Sequence, residues 1–248
     1  MKAATAKVSL PRALMPLLKA LRSDGAQVAE MGLGQKALTW VSAAVLQPLG
    51  FPLAYWQGDA LQGAEAALRH LADVREVAQS TAVEAKLRHI FTDAASGLEE
   101  SGLDLTWDMD VSSAELRKFT LVYGMRRSAG SRTSGLYCTS LSGHYVVSTE
   151  PKPANAWDLA QAALRGGIVC TDFTLKCDQV LELRCRETQE VKLREEATVH
   201  HRLRLEAEWT PEDDQSGSHW DEERGWLITD LNGAADLNCP VADIASSE

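Results

Sequence analysis

The first hundred residues carry an apolar pattern of helical period. In residues 10–22, leucines recur every three or four positions, as one buried face of a helix requires. They are Leu10, Leu14, Leu17, Leu18 and Leu21. Pro11 suits the first turn of such a helix, whereas Pro16 is expected to shorten or bend it. Residues 63–91, rich in Ala, Leu, Glu and Arg, form a second helix-favouring stretch.

From Leu103 onward the period changes to two. Residues 103–111 alternate apolar and polar side chains, which predicts a strand with one apolar face. Residues 112–115, Ser-Ser-Ala-Glu, have the form of a capping box, so a short helix is predicted to follow. Residues 119–125 fit either the end of that helix or another strand, and the pattern alone does not decide between them.

Two further short strands and a helix are predicted in the middle of the chain. Residues 135–150, GLYCTSLSGHYVVSTE, read as two strands joined at Ser142-Gly143. After them, Asn155 can cap a helix that Gly166-Gly167 can end. None of these segments carries an evident catalytic arrangement.

Alternation is longest in residues 168–186, IVCTDFTLKCDQVLELRCR, where odd positions are mostly apolar and even positions mostly polar. One strand of this length would span roughly 60 Å, against a usual length of about five or six residues. The segment therefore either folds back near Asp178 or extends as a single strand. A second alternating run covers residues 198–209. Together the patterns predict an α+β fold, with a twisted, mainly antiparallel sheet, flanking helices and a helix-richer N-terminal part.

Residues 37–58 carry no charged side chain and suggest a membrane-spanning helix at first sight. Gln47, Pro48 and Pro52 argue against one, because a lipid-facing helix would lose backbone hydrogen bonds there. Buried strand and turn structure is the expectation. The N-terminal residues lack an uninterrupted apolar segment, so a secretory signal is not expected and a cytoplasmic location is.

Charge is distributed unevenly along the chain, whose net charge is −10. Residues 206–248 contain twelve acidic residues and one base, Arg224. Positive charge is concentrated in residues 1–23 and 116–132, which contain no acid. The basic residues of these two segments are Lys2, Lys7, Arg12, Lys19, Arg22, Arg117, Lys118, Arg126, Arg127 and Arg132. The asymmetry predicts one α+β domain, residues 1–209, followed by an acidic C-terminal segment, residues 210–248. A solvated terminus that only aids solubility would explain it equally well.

Candidate chemistry is sparse. The sequence contains no nucleotide-binding, zinc-protease or hydrolase motif. Its five cysteines form no metal-binding pattern and are expected to be reduced packing residues. They are Cys138, Cys170, Cys177, Cys185 and Cys239. His200 and His201 are adjacent, so on a strand they point to opposite faces and cannot share a metal. Residues 230–238, DLNGAADLN, have Ala234 where a calcium loop needs a ligand. No cofactor, metal or catalytic residue is expected.

The order of the elements resembles that of the gasdermins, particularly the short bacterial and fungal members. The corresponding pieces are a basic amphipathic helix at 10–22, LDLTWDMDV at 103–111, SSAELRKF at 112–119, GLYCTSL at 135–141, the helix around 157–165, and EVKLREEATVHHRLRL at 190–205.

This resemblance implies a pore-forming protein whose subunits assemble into a homo-oligomeric transmembrane β-barrel. The basic residues named above would bind anionic lipid, with no nucleic acid as a partner. Residues 168–186 would supply one membrane hairpin and residues 76–111 another. The apolar face of the first hairpin would consist of Val169, Phe173, Leu175, Leu181 and Leu183. The protein would be cytoplasmic and would move to the inner face of the membrane on activation.

The resemblance also implies control by the C-terminal segment, which would hold the soluble form until it is displaced or until a protease removes it. Its apolar contacts with the body would be Trp226, Leu227, Ile228, Leu231 and Leu237. Two other classes stay open. An interaction or immunity-type module would bind a basic partner through the acidic residues 206–224, with salt-sensitive affinity. A small-molecule enzyme would need a concave pocket lined by convergent polar groups.

Overall fold

Three unusually long strands organise the structure, a computed structural model of the chain. It describes residues 10–23, 33, 37, 59–125, 136–141, 144–149, 155–210, 219–220 and 226–235. Several of the sequence predictions fall outside these residues. They concern Lys2, Lys7, residues 38–58, Arg126, Arg127, Arg132, Leu237 and Cys239.

The helices precede the first long strand, except for one. A 3-10 turn, Arg12–Leu14, leads into α1, Met15–Arg22, whose first turn contains Pro16. The others are α2 (Asp59–His70), α3 (Val74–Val77), α4 (Ala85–Glu100) and α5 (Ala156–Ala163). Both helices predicted at 10–22 and after Asn155 are present, and Asn155 caps α5 through a complete capping box with Asp158. The helix-favouring stretch 63–91 is divided among α2, α3 and α4.

In the part of the chain that the structure describes, seven strands form one sheet. They are β1 (Leu103–Tyr123), β2 (Tyr137–Leu141), β3 (His144–Ser148), β4 (Gly167–Cys185), β5 (Val191–Thr210), β6 (His219–Trp220) and β7 (Leu227–Leu231). Their order is β2-β3-β1-β4-β5-β6, and β7 also pairs with β5. All neighbours are antiparallel except β1 and β3, which are parallel. The predicted fold class, α+β with a mainly antiparallel sheet and flanking helices, is confirmed.

β4 is one uninterrupted strand of 19 residues. It pairs with β1 along one edge and with β5 along the other, and Asp178 is paired on both sides. The chain therefore does not fold back near Asp178. It reverses after Cys185 instead, where Gln189 has a left-handed backbone conformation with φ 57°. Pairing on both edges satisfies the backbone groups along the whole strand, which explains its length.

The helix predicted after the capping-box residues 112–115 is wrong. β1 continues through them to Tyr123, and its residues 113–116 pair with residues 173–176 of β4. Register shifts at Ser112 and Arg117 mark two bulges that let the long strand bend. A capping box is a local signal, and here the hydrogen bonds offered by β4 outweigh it. The same pairing assigns residues 119–123 to the strand.

The main core lies between the sheet and helices α1, α2 and α4. Phe173, Leu175, Cys177, Leu181 and Leu183 of β4 project into it and are buried. The helices contribute the larger share of the remaining core, including Leu17, Leu18, Leu21, Leu68, Leu87 and Phe91. Of the second predicted membrane hairpin, residues 76–111, the part 85–100 is α4 and only 103–111 is strand.

A second, smaller core covers the opposite face of β4 at its beginning. It contains Val122, Val147, Ile168 and Cys170. The hairpin of β2 and β3 supplies one wall of this second core through Val147, so it contributes to the packing of the sheet. Gly124 lies beside it with φ +81°, and a Cβ atom there would meet the Val147 carbonyl oxygen at 2.8 Å.

Candidate functional site: a polar junction beneath the first helix

Buried polar side chains meet the C-terminal end of α1. Asn232, in the turn after β7, donates from Nδ2 to the Ala20 carbonyl oxygen at 2.8 Å. Gln179 of β4 donates from Nε2 to the Leu21 carbonyl oxygen at 3.1 Å. The last carbonyls of a helix lack the usual partner four residues later. The Ala20 carbonyl also accepts from the Ser23 backbone N–H at 3.1 Å, and each amide adds a side-chain partner to one of the two carbonyls. We call Trp107, Gln179, His201, Asn232 and these two carbonyls the polar junction.

Gln179 has one possible orientation. Its Oε1 accepts from Trp107 Nε1 at 2.9 Å, and its Nε2 donates to Leu21. The indole N–H is a donor only and the carbonyl an acceptor only, so the amide cannot be reversed. His201 Nε2 lies 3.0 Å from the same Oε1. Because an amide oxygen only accepts, that ring nitrogen carries a proton.

Asn232 is oriented in the same way. Its Oδ1 accepts from the Arg202 backbone N–H at 2.6 Å, so its Nδ2 donates to Ala20 and, at 2.8 Å, to His201 Nδ1. His201 Nδ1 must therefore be an unprotonated acceptor. The ring, which is fully buried, is the neutral Nε2–H tautomer. Trp107 packs edge-on against it with ring centroids 5.4 Å apart.

The turn that carries Asn232 is fixed to β5 by its own backbone. Asn232 has φ 54°, a left-handed conformation that asparagine tolerates, and its N–H donates to the Arg202 carbonyl at 2.8 Å. Asp230, buried, accepts from Arg202 Nη2 at 2.6 Å and from the backbone N–H groups of Gly233 and Ala235. The C-terminal strand is therefore joined to β5 and α1 by directed polar contacts as well as by apolar packing.

An ion pair lies at the rim of the junction. Arg22, at the end of α1, donates from Nε and Nη2 to the two carboxylate oxygens of Glu195 on β5, at 2.7 and 2.8 Å. Both side chains are about a third exposed, at 35% and 39%. The pair is bidentate, which orients α1 over β5, although solvent weakens its electrostatic contribution.

The predicted hairpin residues all lie on β4. Val169, Phe173, Leu175, Leu181 and Leu183 are each at most 1% exposed. The opposite face carries alternating charges, including Asp172, Lys176, Asp178, Glu182 and Arg184. From Phe173 to Leu183 the apolar face packs against the helices, whereas at the beginning of the strand Ile168 and Cys170 bury the opposite face as well.

Ion pairs with β5 occupy the polar face. Asp172 binds Arg204 through two hydrogen bonds of 2.6 and 2.9 Å. Burial opposes the charged form of Arg204, but the hydrogen bonds and charge of Asp172 outweigh it, so its pKa is raised. Nearby, Glu182 accepts from Arg184 and Arg194, and chiefly the hydrogen bond from Arg184 lowers its pKa. On the apolar face, burial raises the pKa of Cys177 to about 11.

The predicted lipid-binding residues do not form one surface among the described positions. Arg12 and Lys19 are exposed on the first helical segment, whereas Arg22 is held by Glu195. Arg117 sits at a bulge of β1 with its side chain 20% exposed and pairs with Glu115, and Lys118 lies opposite Asp172 in the register. The two basic segments are therefore on different elements.

The predicted C-terminal contacts belong to a strand of the sheet. Ile228 and Leu231 of β7 are buried in the main core, and Trp226 and Leu227 are partly buried beside it. β7 also contacts the helical layer, because Ile228 exchanges backbone hydrogen bonds with Ala82 and Glu84. Two of the twelve acids counted in residues 206–248, Glu206 and Asp230, are buried.

Sequence reasoning missed the junction, although one signal for it was present. Gln179 and His201 stand on the apolar faces of their alternating runs, where a buried polar residue requires a partner. Asn232, the partner of His201, follows it by 31 positions, and no spacing rule connects the two. Among the described residues, no group of histidine, cysteine and carboxylate side chains is placed to hold a metal. No helix among them is long and apolar enough to cross a membrane.

Comparisons with known proteins leave the chain without an assigned family. No protein-family profile matches it, and no curated protein matches it. A solved structure that shows similarity is the intermembrane-space region of the chloroplast protein ARC6, at 13% identity and a TM-score of 0.29, covering 70% of this chain and 90% of that one. A likeness this weak carries no argument about fold or function.

Proposed function

We propose that the chain is a membrane pore-forming protein of gasdermin-like type. In the resting state, helices α1, α2 and α4 cover the apolar face of the sheet. Activation displaces or removes the C-terminal segment, basic residues bind anionic lipid at the inner face of the membrane, and copies of the chain associate so that the long strands line a pore.

The β4–β5 hairpin is the observation that carries this proposal. A membrane-spanning strand needs about 9–11 residues with alternating faces. β4 and β5 contain 19 and 20 residues and pair with each other throughout. One face of β4 is apolar, and from Asp172 to Arg184 the other face is mostly polar or charged, as a strand between lipid and water requires. An ordinary soluble sheet needs neither this length nor this regularity.

Two sheet edges support association between copies. In the part of the chain that the structure describes, residues 103–116 of β1 and residues 191–199 of β5 pair with β4 only. No described strand pairs with their outer backbone groups, and soluble proteins usually block such edges. Pairing of one copy's β5 with the next copy's β1 would extend the sheet without changing the long hairpin.

The C-terminal segment is the restraint in this proposal. β7 fills the core with Ile228 and Leu231, and Asn232 bonds directly to α1. Removing this segment takes away core packing and the partners of the Ala20 carbonyl and His201 together. It also removes most of the acidic excess, which favours attraction to anionic lipid at about 1 kcal/mol per Lys or Arg near the surface.

A cleavage assay tests the proposal on the full chain. A protease site inserted between Ser216 and Gly217 lets the segment be severed after folding. We expect dye release from vesicles of phosphatidylcholine with phosphatidylglycerol after cleavage, and little release before it or from phosphatidylcholine alone. Lys19→Glu should reduce the release, whereas Lys86→Glu, an exposed change on α4 outside the proposed lipid-binding set, should not. Absence of release after complete cleavage would refute a pore held closed by this segment.

A further inference from the structure

His201 occupies a position that tolerates only its neutral form. Nε2 donates to Gln179 Oε1 at 3.0 Å, and Nδ1 accepts from Asn232 Nδ2 at 2.8 Å. A proton added to Nδ1 would bring two donors face to face, inside a fully buried site. The Asn232 amide cannot reverse to relieve this contact, because its Oδ1 is held by the Arg202 N–H and its Nδ2 by the Ala20 carbonyl.

We propose that His201 is an acid-sensitive latch: its protonation expels Asn232 and thereby frees the segment 226–235 from the end of α1. The same residue links both elements, since Asn232 bonds to Ala20 and to His201 together. Release would break the hydrogen bond between Asn232 and the Ala20 carbonyl, while Asp230 and the backbone pairing with β5 would still hold β7 to the sheet. Acidification would thus loosen the restraint without any cleavage.

Among the described residues, Asn232 is the hydrogen-bond partner of His201 Nδ1, and the charged groups on the surrounding elements have other partners or lie elsewhere. The arginines on them are engaged by carboxylates: Arg22 of α1 by Glu195 of β5, Arg69 by Glu65 within α2, and Arg202 of β5 by Asp230 of β7. Lys19 of α1 is exposed. The remaining charges of β1 and β4 at this level are Asp108, Asp110, Lys176 and Asp178, which alternate with the junction residues and so lie on the opposite face.

The sign of the effect follows from linkage. In the opened state His201 has an ordinary pKa of about 6.5, whereas in the closed state its protonated form is disfavoured. The closed state is therefore fully favoured above about pH 6.5. Below it, the ratio of closed to open molecules falls by up to about tenfold for each pH unit. Between about pH 7.5 and 5.5 the opening equilibrium should rise about tenfold.

A second buried histidine must be kept separate. His144 is also buried, accepts at Nδ1 from the Leu121 backbone N–H at 3.2 Å, and has its pKa lowered by burial. Its protonation would act on the contact between β1 and β3. Effects of His201 should instead appear in residues 15–23 and 226–235, so the two histidines are distinguished by where the structure opens.

Hydrogen exchange of the intact protein in solution tests the latch. After correction for intrinsic exchange, protection of residues 15–23 and 226–235 should fall about tenfold between about pH 7.5 and 5.5. His201→Gln should remove this pH dependence. If that variant fails to fold, nitrogen NMR of the wild type supplies the answer, because the neutral Nε2–H tautomer of His201 should persist below about pH 6.5, the ordinary pKa of a histidine. Unchanged protection, or a charged His201 in the closed state, would overturn the proposal.

Asn232→Asp provides a variant with the opposite sign. A carboxylate at this position accepts from a protonated Nδ1, so acidification from about pH 7.5 to 5.5 should strengthen protection of residues 226–235 rather than weaken it. The consequence for membranes rests on the proposed function, and the two can fail separately. If hydrogen exchange depends on pH but cleavage causes no vesicle leakage, the latch is supported and the pore-forming function is refuted. If cleavage causes leakage but exchange is independent of pH, the pore-forming function is supported and the latch is refuted.

Discussion

Asn232 donates a hydrogen bond to the carbonyl oxygen of Ala20 across 212 positions of sequence. This contact joins the first described helix to the turn that follows the last described strand. It also places the two segments on which activation is proposed to act, α1 and residues 226–235, in one hydrogen-bonded unit with β4 and β5. A change in residues 226–235 therefore alters a direct contact of α1, and a change in α1 alters a direct contact of residues 226–235.

Removing the Asn232 side chain should weaken the fold measurably. Asn232→Ala removes the hydrogen-bond partner of the Arg202 N–H and of His201 Nδ1 and leaves the Ala20 carbonyl with the Ser23 N–H alone. We expect the free energy of unfolding to fall by about 1–3 kcal/mol. Urea denaturation at neutral pH measures it. Gln161→Ala, an exposed change on α5, is the control and should stay within about 0.5 kcal/mol of the wild type. Equal effects of the two would show that the junction does not stabilise the protein.

The ion pair between Arg22 and Glu195 should contribute modestly. A double-mutant cycle with Arg22→Ala and Glu195→Ala should give a coupling free energy of about 0.2–1 kcal/mol, because both groups are partly exposed to solvent. Repeating the cycle in about 1 M salt should reduce the coupling, since the Debye length then shrinks to about 3 Å. A coupling that is large and independent of salt would contradict the exposure seen here.

The apolar face of β4 should be sensitive to truncation and the polar face tolerant. Phe173→Ala opens a cavity beneath the helices and should destabilise the fold by about 3–5 kcal/mol. Lys176→Ala, three positions along the same strand on its exposed face, should change stability by no more than about 0.5 kcal/mol. Thermal and urea unfolding of the two variants compare the faces directly, and similar costs would be inconsistent with a two-faced strand.

Burial of Cys177 should make the protein less stable at alkaline pH. Burial raises its pKa to about 11, above the ordinary value of about 9, so the folded state keeps a proton that the unfolded state releases. Stability is full below about pH 9 and declines between about pH 9 and 11, at up to about 1.4 kcal/mol per pH unit. Cys177→Ala should flatten this part of the profile in urea titrations at several pH values. The same decline in both proteins would assign it to other groups.

Two glycines offer a matched test of backbone conformation. Gly124→Ala should cost about 1–3 kcal/mol, because its φ of +81° and the Val147 carbonyl at 2.8 Å both oppose a side chain. Gly63 is in the interior of α2 with no heavy atom near the position of an added Cβ. Gly63→Ala should therefore stabilise by about 0.5–1 kcal/mol. Circular dichroism melts measure the stability change of both variants. Changes of the same sign would contradict the assignment of one of the two glycines.

Repeating patterns made much of this fold predictable. The leucine repeat at 10–22 and the alternation at 168–186 each describe one side of an element, and burial of that side is enough to select a helix or a strand. The helix cap at Asn155 could equally be predicted from the sequence, because its hydrogen-bond partners lie within three residues. The sequence marks Gln179 and His201 as polar residues on apolar faces, but it does not show that Asn232 is the partner of His201.

Tertiary contacts determined two features that the sequence pattern did not. Residues 112–119 carry a local helix signal, yet β4 offers them backbone partners that a single segment cannot reveal, and they are strand. The alternating run at 168–186 was compatible with a fold-back or with one long strand, and pairing with both β1 and β5 selected the second. The sequence by itself determined which faces are apolar, because side-chain chemistry repeats along the chain. Only the tertiary structure decided which distant groups meet, such as Asn232 with Ala20 and His201, because such contacts depend on how separate elements pack against one another.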